Sequence, residues 1–150
     1  MERDLLFISD GDFASVERAY DGLANRPASC RKLAPERESV VTIRPTGTAK
    51  VLFALRPNAP IPWDTFMRNR YSLDGSGKSY CAYLRGVRGQ LQALGSECAK
   101  HGLELNDLPR VLGRAESSLP KLIDESNWVT ISRRGTAPSE TELKRWVAWV

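Results

Sequence analysis

The stretch from Ser79 to Lys100 constrains this chain most. Tyr80, Tyr83, Leu84, Val87, Leu91, Leu94 and Cys98 recur at three- and four-residue steps, the spacing of one face of an α-helix. A stripe of that length must be covered by other elements of the fold. His101-Gly102 supplies the stop. Gly86, Gly89 and Gly95 interrupt the helix, each at a cost of about 1 kcal/mol relative to alanine. Their regular spacing predicts that another helix comes close. Arg85 and Arg88 lie off the stripe.

The elements that could cover this helix are legible upstream. Leu5 to Ile8 is a short apolar run, a strand or a staple onto the next element. Ser9-Asp10-Gly11-Asp12 reads as a helix start, an N-cap with an acid three residues on. Phe13, Val16, Tyr20 and Leu23 follow at helical spacing, and Asn25-Arg26-Pro27 ends that helix. Ser39 to Arg44 and Lys50 to Arg56 are rich in β-branched or bulky residues. They predict a β-hairpin turning at Pro45-Thr46-Gly47-Thr48-Ala49. Pro57-Asn58-Ala59-Pro60-Ile61-Pro62 is stiff and extended, because each proline fixes its own φ and restricts its predecessor. A boundary falls there, dividing an N-terminal region 1–57 from a helical region 58–150, within one domain or two small ones. A short helix follows over Trp63 to Tyr71. At the C-terminus Pro138 and Ser139-Glu140-Thr141-Glu142 read as a capping box. Leu143, Trp146, Val147 and Val150 would form the apolar face behind it, with Trp149 off that face. The expected fold is α+β: an N-terminal helix and β-hairpin, then a mainly helical C-terminal half.

Charge is distributed unevenly. The 150 residues carry a net +4. Residues 1–25 hold two basic and six acidic side chains, −4; residues 26–88 hold twelve and four, +8; residues 89–150 hold eight of each. A basic middle is the footprint of a polyanion partner, and the acidic first helix should face away from it. Three cysteines with no paired spacing fit a reduced, cytoplasmic chain. The acidic start is unlike a signal peptide, and no apolar run is long enough to span a membrane.

Gly75-Ser76-Gly77-Lys78-Ser79 ends like a phosphate-binding P-loop. A P-loop needs a glycine five residues before the Gly of Gly-Lys-Ser, after a buried strand. That position is Ser72, and Arg68-Asn69-Arg70-Tyr71 precedes the stretch. The expectation is therefore a turn, with Ser79 capping the long helix. Its N-terminus, with Lys78, Arg68 and Arg70 nearby, would be suited to one backbone phosphate.

Downstream, Asn106 would cap a helix carrying Leu108, Val111 and Leu112; Gly113 would form a turn; Ser117 would cap a second helix carrying Leu119 and Leu122. Residues 103–124 resemble the helix-turn-helix family of DNA-binding proteins. The resemblance implies that Ser117, Ser118 and Lys121 face a DNA groove, with Arg114 beside them. Trp128 to Ser132 would be a strand, and Arg133-Arg134-Gly135 a wing-like loop on the DNA backbone. Leu108-Pro109-Arg110-Val111-Leu112 is also echoed by Leu119-Pro120-Lys121-Leu122-Ile123, so the pair serves equally as plain bundle elements.

His101, the only histidine, has no ligand partner at metal spacing. Asp124 with Glu142 and Lys144 is the nearest approach to a nuclease-like set, and it falls on predicted helices. No motif calls for a cofactor or a metal. The expected function is non-enzymatic nucleic-acid binding, to DNA first, in a regulatory or accessory role. Arg68, Arg70, Lys78, Arg85 and Arg88 would neutralise phosphates. The alternative is a protein-interaction module that docks an acidic partner on the basic middle.

Overall fold

The first helix forms where its cap predicts. A computed structural model describes residues 4–34, 37–136, 139 and 141. α1 (Asp10–Ala24) opens on a reciprocal capping box. Ser9 Oγ accepts from the Asp12 N–H at 3.2 Å, and Asp12 Oδ2 accepts from the Ser9 N–H at 2.9 Å. Phe13 and Tyr20 are its fully buried residues. Ahead of it, Leu5–Phe7 is a 3₁₀ turn whose Leu5 is buried. The Leu5 N–H donates to the Asn58 carbonyl at 3.0 Å, so this run is a staple and not a strand.

A hairpin follows, built differently from the expected one. β1 (Pro27–Ala34) and β2 (Arg37–Thr42) run antiparallel, with Cys30 opposite Val40 and Arg31 opposite Ser39. The expected first strand is real, but its partner lies upstream of it. Residues 50–56, expected to be the second strand, belong almost wholly to α2 (Arg44–Leu55). Pro45 falls in the first helical turn, where its missing N–H is not needed. Ala49, Lys50, Leu52, Ala54 and Leu55 are good helix formers, and their propensity prevails over the alternating pattern of Val51, Phe53 and Leu55.

α3 (Thr65–Arg70) is capped by Asp64, whose Oδ1 accepts from the Met67 N–H at 2.8 Å. α4 (Gly77–Lys100) then buries Tyr80, Tyr83, Leu84, Val87, Leu91 and Cys98, as its stripe predicts, and also Cys81. Its cap is Ser76, not Ser79: Ser76 Oγ accepts from the Ser79 N–H at 3.2 Å. His101 closes it and Gly102 turns away at φ +68°. No described helix packs on Gly86 or Gly89, since a Cβ at either would meet no described atom within 4 Å. At Gly95 the close neighbour is Leu105, in a 3₁₀ turn (Leu105–Asp107).

α5 (Leu108–Val111) is a single turn, Gly113 takes φ +68°, and α6 (Leu119–Asn127) is capped by Ser118, one residue past the expected Ser117. The strand expected at 128–132 is instead a π-helical turn, Trp128–Ser132, continuing α6. The Arg133 N–H donates to the Trp128 carbonyl at 2.9 Å, the i→i−5 bond of such a turn, so backbone groups here pair along the helix and not with a neighbouring strand. The expected C-terminal helix (Leu143, Trp146, Val147, Val150), Trp149, Glu142 and Lys144 lie outside the described residues.

One buried cluster crosses the boundary expected at residue 57. Leu5, Phe13, Tyr20 and Ala49 pack with Ile61, Trp63, Met67, Tyr80, Leu84 and Leu91. Its centre is aromatic. Tyr20 stacks on Tyr80 at 4.5 Å, and Trp63 stacks on Tyr83 at 5.6 Å. Trp63 Nε1 donates to Tyr20 Oη at 2.9 Å, and Tyr20 Oη donates to the Pro45 carbonyl at 2.9 Å. No described helix is long and apolar enough to cross a membrane.

Candidate nucleic-acid interface

α3 is too short to bury two faces. Met67 enters the core, which turns Phe66, Asn69 and Arg70 outward. Phe66 and Arg70 are four residues apart and share a helical face. The π-turn packs beside them. Ser132 Oγ donates to Asp64 Oδ2 at 2.6 Å, so the carboxylate that caps α3 also ties down the turn. Trp128, 49% exposed, carries the Arg133 guanidinium 5.1 Å from its ring centroid. Arg134 takes φ +54°, and the Gly135 N–H bonds back to the Val129 carbonyl at 2.8 Å. Segments sixty residues apart in sequence thus make one ridge.

Two grooves are lined by residues of both α3 and the π-turn. One, about 510 Å³, is lined by Phe66, Asn69, Arg70, Thr130, Ile131 and Arg134. It has cations and a ring, and no described carboxylate lines it. The other, about 470 Å³, includes Lys50, Phe53, Trp63 and Trp128, but also Asp64, Lys121, Asp124 and Glu125, so its charge is mixed.

The remaining expected contacts are elsewhere; Lys78 is exposed at the start of α4, and the others are held within the fold. Arg68 braces α3 to α2, donating to Thr46 Oγ1 at 3.1 Å and Thr65 Oγ1 at 2.9 Å. Arg85 and Arg88 grip the Phe13 ring at 4.3 and 5.0 Å, and Arg88 donates to the Ile8 carbonyl at 2.8 Å. Both clasp the acidic α1 rather than facing away from it. Arg114 forks onto Glu125 at 2.9 and 3.0 Å. That bond raises the guanidinium pKa and lowers the carboxyl. Lys121 pairs with Asp124 at 3.0 Å and Glu125 at 3.6 Å. Ser118 Oγ donates to the Pro57 carbonyl at 2.9 Å, and Ser117 lies half-buried one residue before it.

The glycine-rich stretch also has a structural reading. Asp21 Oδ1 accepts from the Gly77 N–H at 2.7 Å, so a carboxylate of α1 already occupies the start of α4, where a phosphate was expected. A Cβ on Gly77 would lie 2.6 Å from the Glu17 carbonyl, and one on Gly75 2.6 Å from Pro45 Cγ. Gly77 is a contact point between α4 and α1, and Gly75 one between the bend before α4 and α2. Asp74 accepts from the Ser76 N–H and hydroxyl, and hydrogen bonds from Ser76 and Ser79, with the charge of Lys78, hold its carboxyl down to about 2.

Of the eleven expected contact residues, the structure brings Arg70 and Arg134 into one groove, which Phe66 completes. Arg133 lies over Trp128, which lines the groove of mixed charge. The signal available for Phe66 was its spacing from Arg70, but nothing in the sequence says which of Phe66 and Met67 enters the core. Among the described residues no three His, Cys, Asp or Glu side chains converge as metal ligands. No protein-family model, curated protein or solved structure matches the chain.

Proposed function

We propose that this chain is a non-enzymatic nucleic-acid-binding protein, regulatory or accessory to DNA processing, and that the ridge of α3 and the π-turn is its contact surface. The observation that carries the reading is the groove where Phe66, Arg70 and Arg134 meet with no described carboxylate. Exposed rings stack bases, and unpaired arginines neutralise phosphates. Rings reach only unstacked bases, so the ridge favours a single strand. A groove-reading role for α6, as the helix-turn-helix resemblance implies, requires Lys121 to leave Asp124 and Glu125. Arg70 and Arg134 have no described carboxylate beside them in the groove, so the ridge carries the proposal.

The test is fluorescence anisotropy with labelled single-stranded DNA across a salt series. Phe66→Ala and Trp128→Ala should each weaken binding roughly fivefold or more, since one stacked base is worth about 1–3 kcal/mol. Arg70→Ala with Arg134→Ala should lower the salt slope by about 1.4, at about 0.7 per phosphate. Unchanged affinity in all of these variants would refute the reading. A second reading, a protein-interaction module, is favoured by Val111 and Leu112, 58% and 57% exposed on neighbouring positions of α5 and its cap. Its sign would be a complex that survives nuclease and is lost in Val111→Asp.

A further inference from the structure

The β1–β2 hairpin is the part of the molecule least accounted for by packing. No described residue of either strand is buried. An isolated two-stranded hairpin is marginal in water, so a surface that covers it would stabilise it. Its base is closed by the Ile43 N–H donating to the Arg26 carbonyl at 3.0 Å. From there β1's eight residues reach about 25 Å outward, at roughly 3.3 Å per residue.

The two faces differ in chemistry. Arg31 stands opposite Ser39, and Ser29 opposite Val41. Because alternate residues share a face, Arg37 joins Arg31, Ser29, Ser39 and Val41. The described side chains of that face are two arginines, two hydroxyls and a valine, with no acid among them. The other face sets Lys32 opposite Glu38 and Cys30 opposite Val40, a neutral cross-strand pair beside an apolar one. Charges on a hairpin edge also guard against aggregation, but that need is met by either sign. It does not explain why positive charge gathers on one face while the acid sits across from a lysine.

We infer that the hairpin is an arm that enters a groove of duplex nucleic acid, with the Arg31–Arg37 face against the phosphate wall. A major groove roughly 12 Å wide admits a two-stranded ribbon. Residues 27–42 contain no aromatic side chain, so this arm has nothing on which to stack an unpaired base; cations and hydroxyls suit the backbone of a duplex. The inference rests on the proposed nucleic-acid function but assigns the duplex to the arm and the single strand to the ridge.

The experiment compares duplex and single-stranded DNA binding across salt for the wild type, Arg31→Ala/Arg37→Ala, Lys32→Ala and Arg70→Ala/Arg134→Ala. Unchanged thermal melting checks that each variant is folded, and sedimentation gives the oligomeric state. The arm variant should lose about 1.8 from the duplex salt slope, at about 0.9 per phosphate, and keep its single-strand affinity. Lys32→Ala, on the other face, should leave the duplex slope unchanged. Arg31→Lys/Arg37→Lys should restore it, since charge and not fork geometry is used. If the arm variant binds duplex like the wild type while the ridge variant loses single strand, the arm assignment fails and the proposed function stands. If the wild type binds neither form, both fail. If the wild type is a dimer that the arm variant dissociates with no change in duplex binding, the hairpin pairs with a second copy and the inference is overturned.

Discussion

Gly77 and Gly89 both lie in α4, yet they should respond oppositely to alanine. At Gly77 the new methyl would meet the Glu17 carbonyl at 2.6 Å and Asp21 Oδ2 at 2.9 Å. Backbone cannot yield there without shifting α1, so Gly77→Ala should destabilise by about 1–3 kcal/mol. At Gly89 the methyl meets no described atom within 4 Å, and Gly89→Ala should stabilise by about 0.5–1 kcal/mol through helix propensity. Urea unfolding of the two variants decides this; equal signs would mean that the α1–α4 contact is not as close as described. Arg134 raises a different question, because its φ of +54° favours glycine. Holding a long side chain there costs roughly 1 kcal/mol. Arg134→Gly should therefore melt no lower than the wild type while binding single-stranded DNA more weakly. A lower melting temperature would show that Arg134 serves the fold and not the ridge.

At the scale of elements, Asp64 joins α3 to the π-turn. One oxygen caps α3 at the Met67 N–H and the other accepts from the Ser132 hydroxyl. Asp64→Ala should cost about 1–2 kcal/mol as a lost cap and also misplace Trp128 and Arg133, so melting and DNA affinity should fall together. Affinity retained in a destabilised variant would separate the ridge from its anchor. The long helix and α1 were legible because their apolar steps and caps agree with each other. The hairpin was only half legible. Ser39 to Thr42 has β-branched residues, but Pro27, Ala28, Ser29, Arg31 and Lys32 have little strand preference of their own. Register against β2, a nonlocal contact, makes them a strand. Val51, Phe53 and Leu55 misled by alternating within a helix whose exposed face is apolar, with Leu55 68% exposed. The ridge was legible in its arginines and illegible in its rings, because exposure of Phe66 and Trp128 is decided by the packing of two segments far apart in sequence.

For the whole molecule, the aromatic centre that unites both halves also sets its alkaline limit. Burial pushes the Tyr20 phenol up to about 12 and raises Tyr80 and Tyr83 well above their ordinary value of 10.0. All three remain protonated in the native state. Below pH 10 the unfolded chain holds the same protons, so their contribution to stability is complete. Above pH 10 the unfolded phenols ionise while the buried ones do not, and stability then falls with rising pH until it passes the native values. Trp63 is buried among these rings, so its emission should report the loss of the core as the melting temperature drops between pH 10 and 12. Tyr20→Phe supplies the control. It leaves Trp63 Nε1 without its acceptor and should cost about 1–3 kcal/mol at pH 7. It also removes one of the three titrating phenols, so its stability should decline less steeply above pH 10 than that of the wild type. Parallel declines would show that Tyr20 is not held neutral by the core. A melting temperature that stays flat from pH 9 to 11 in the wild type would show that none of the three is, and that the halves on either side of residue 57 are joined less tightly than these rings require.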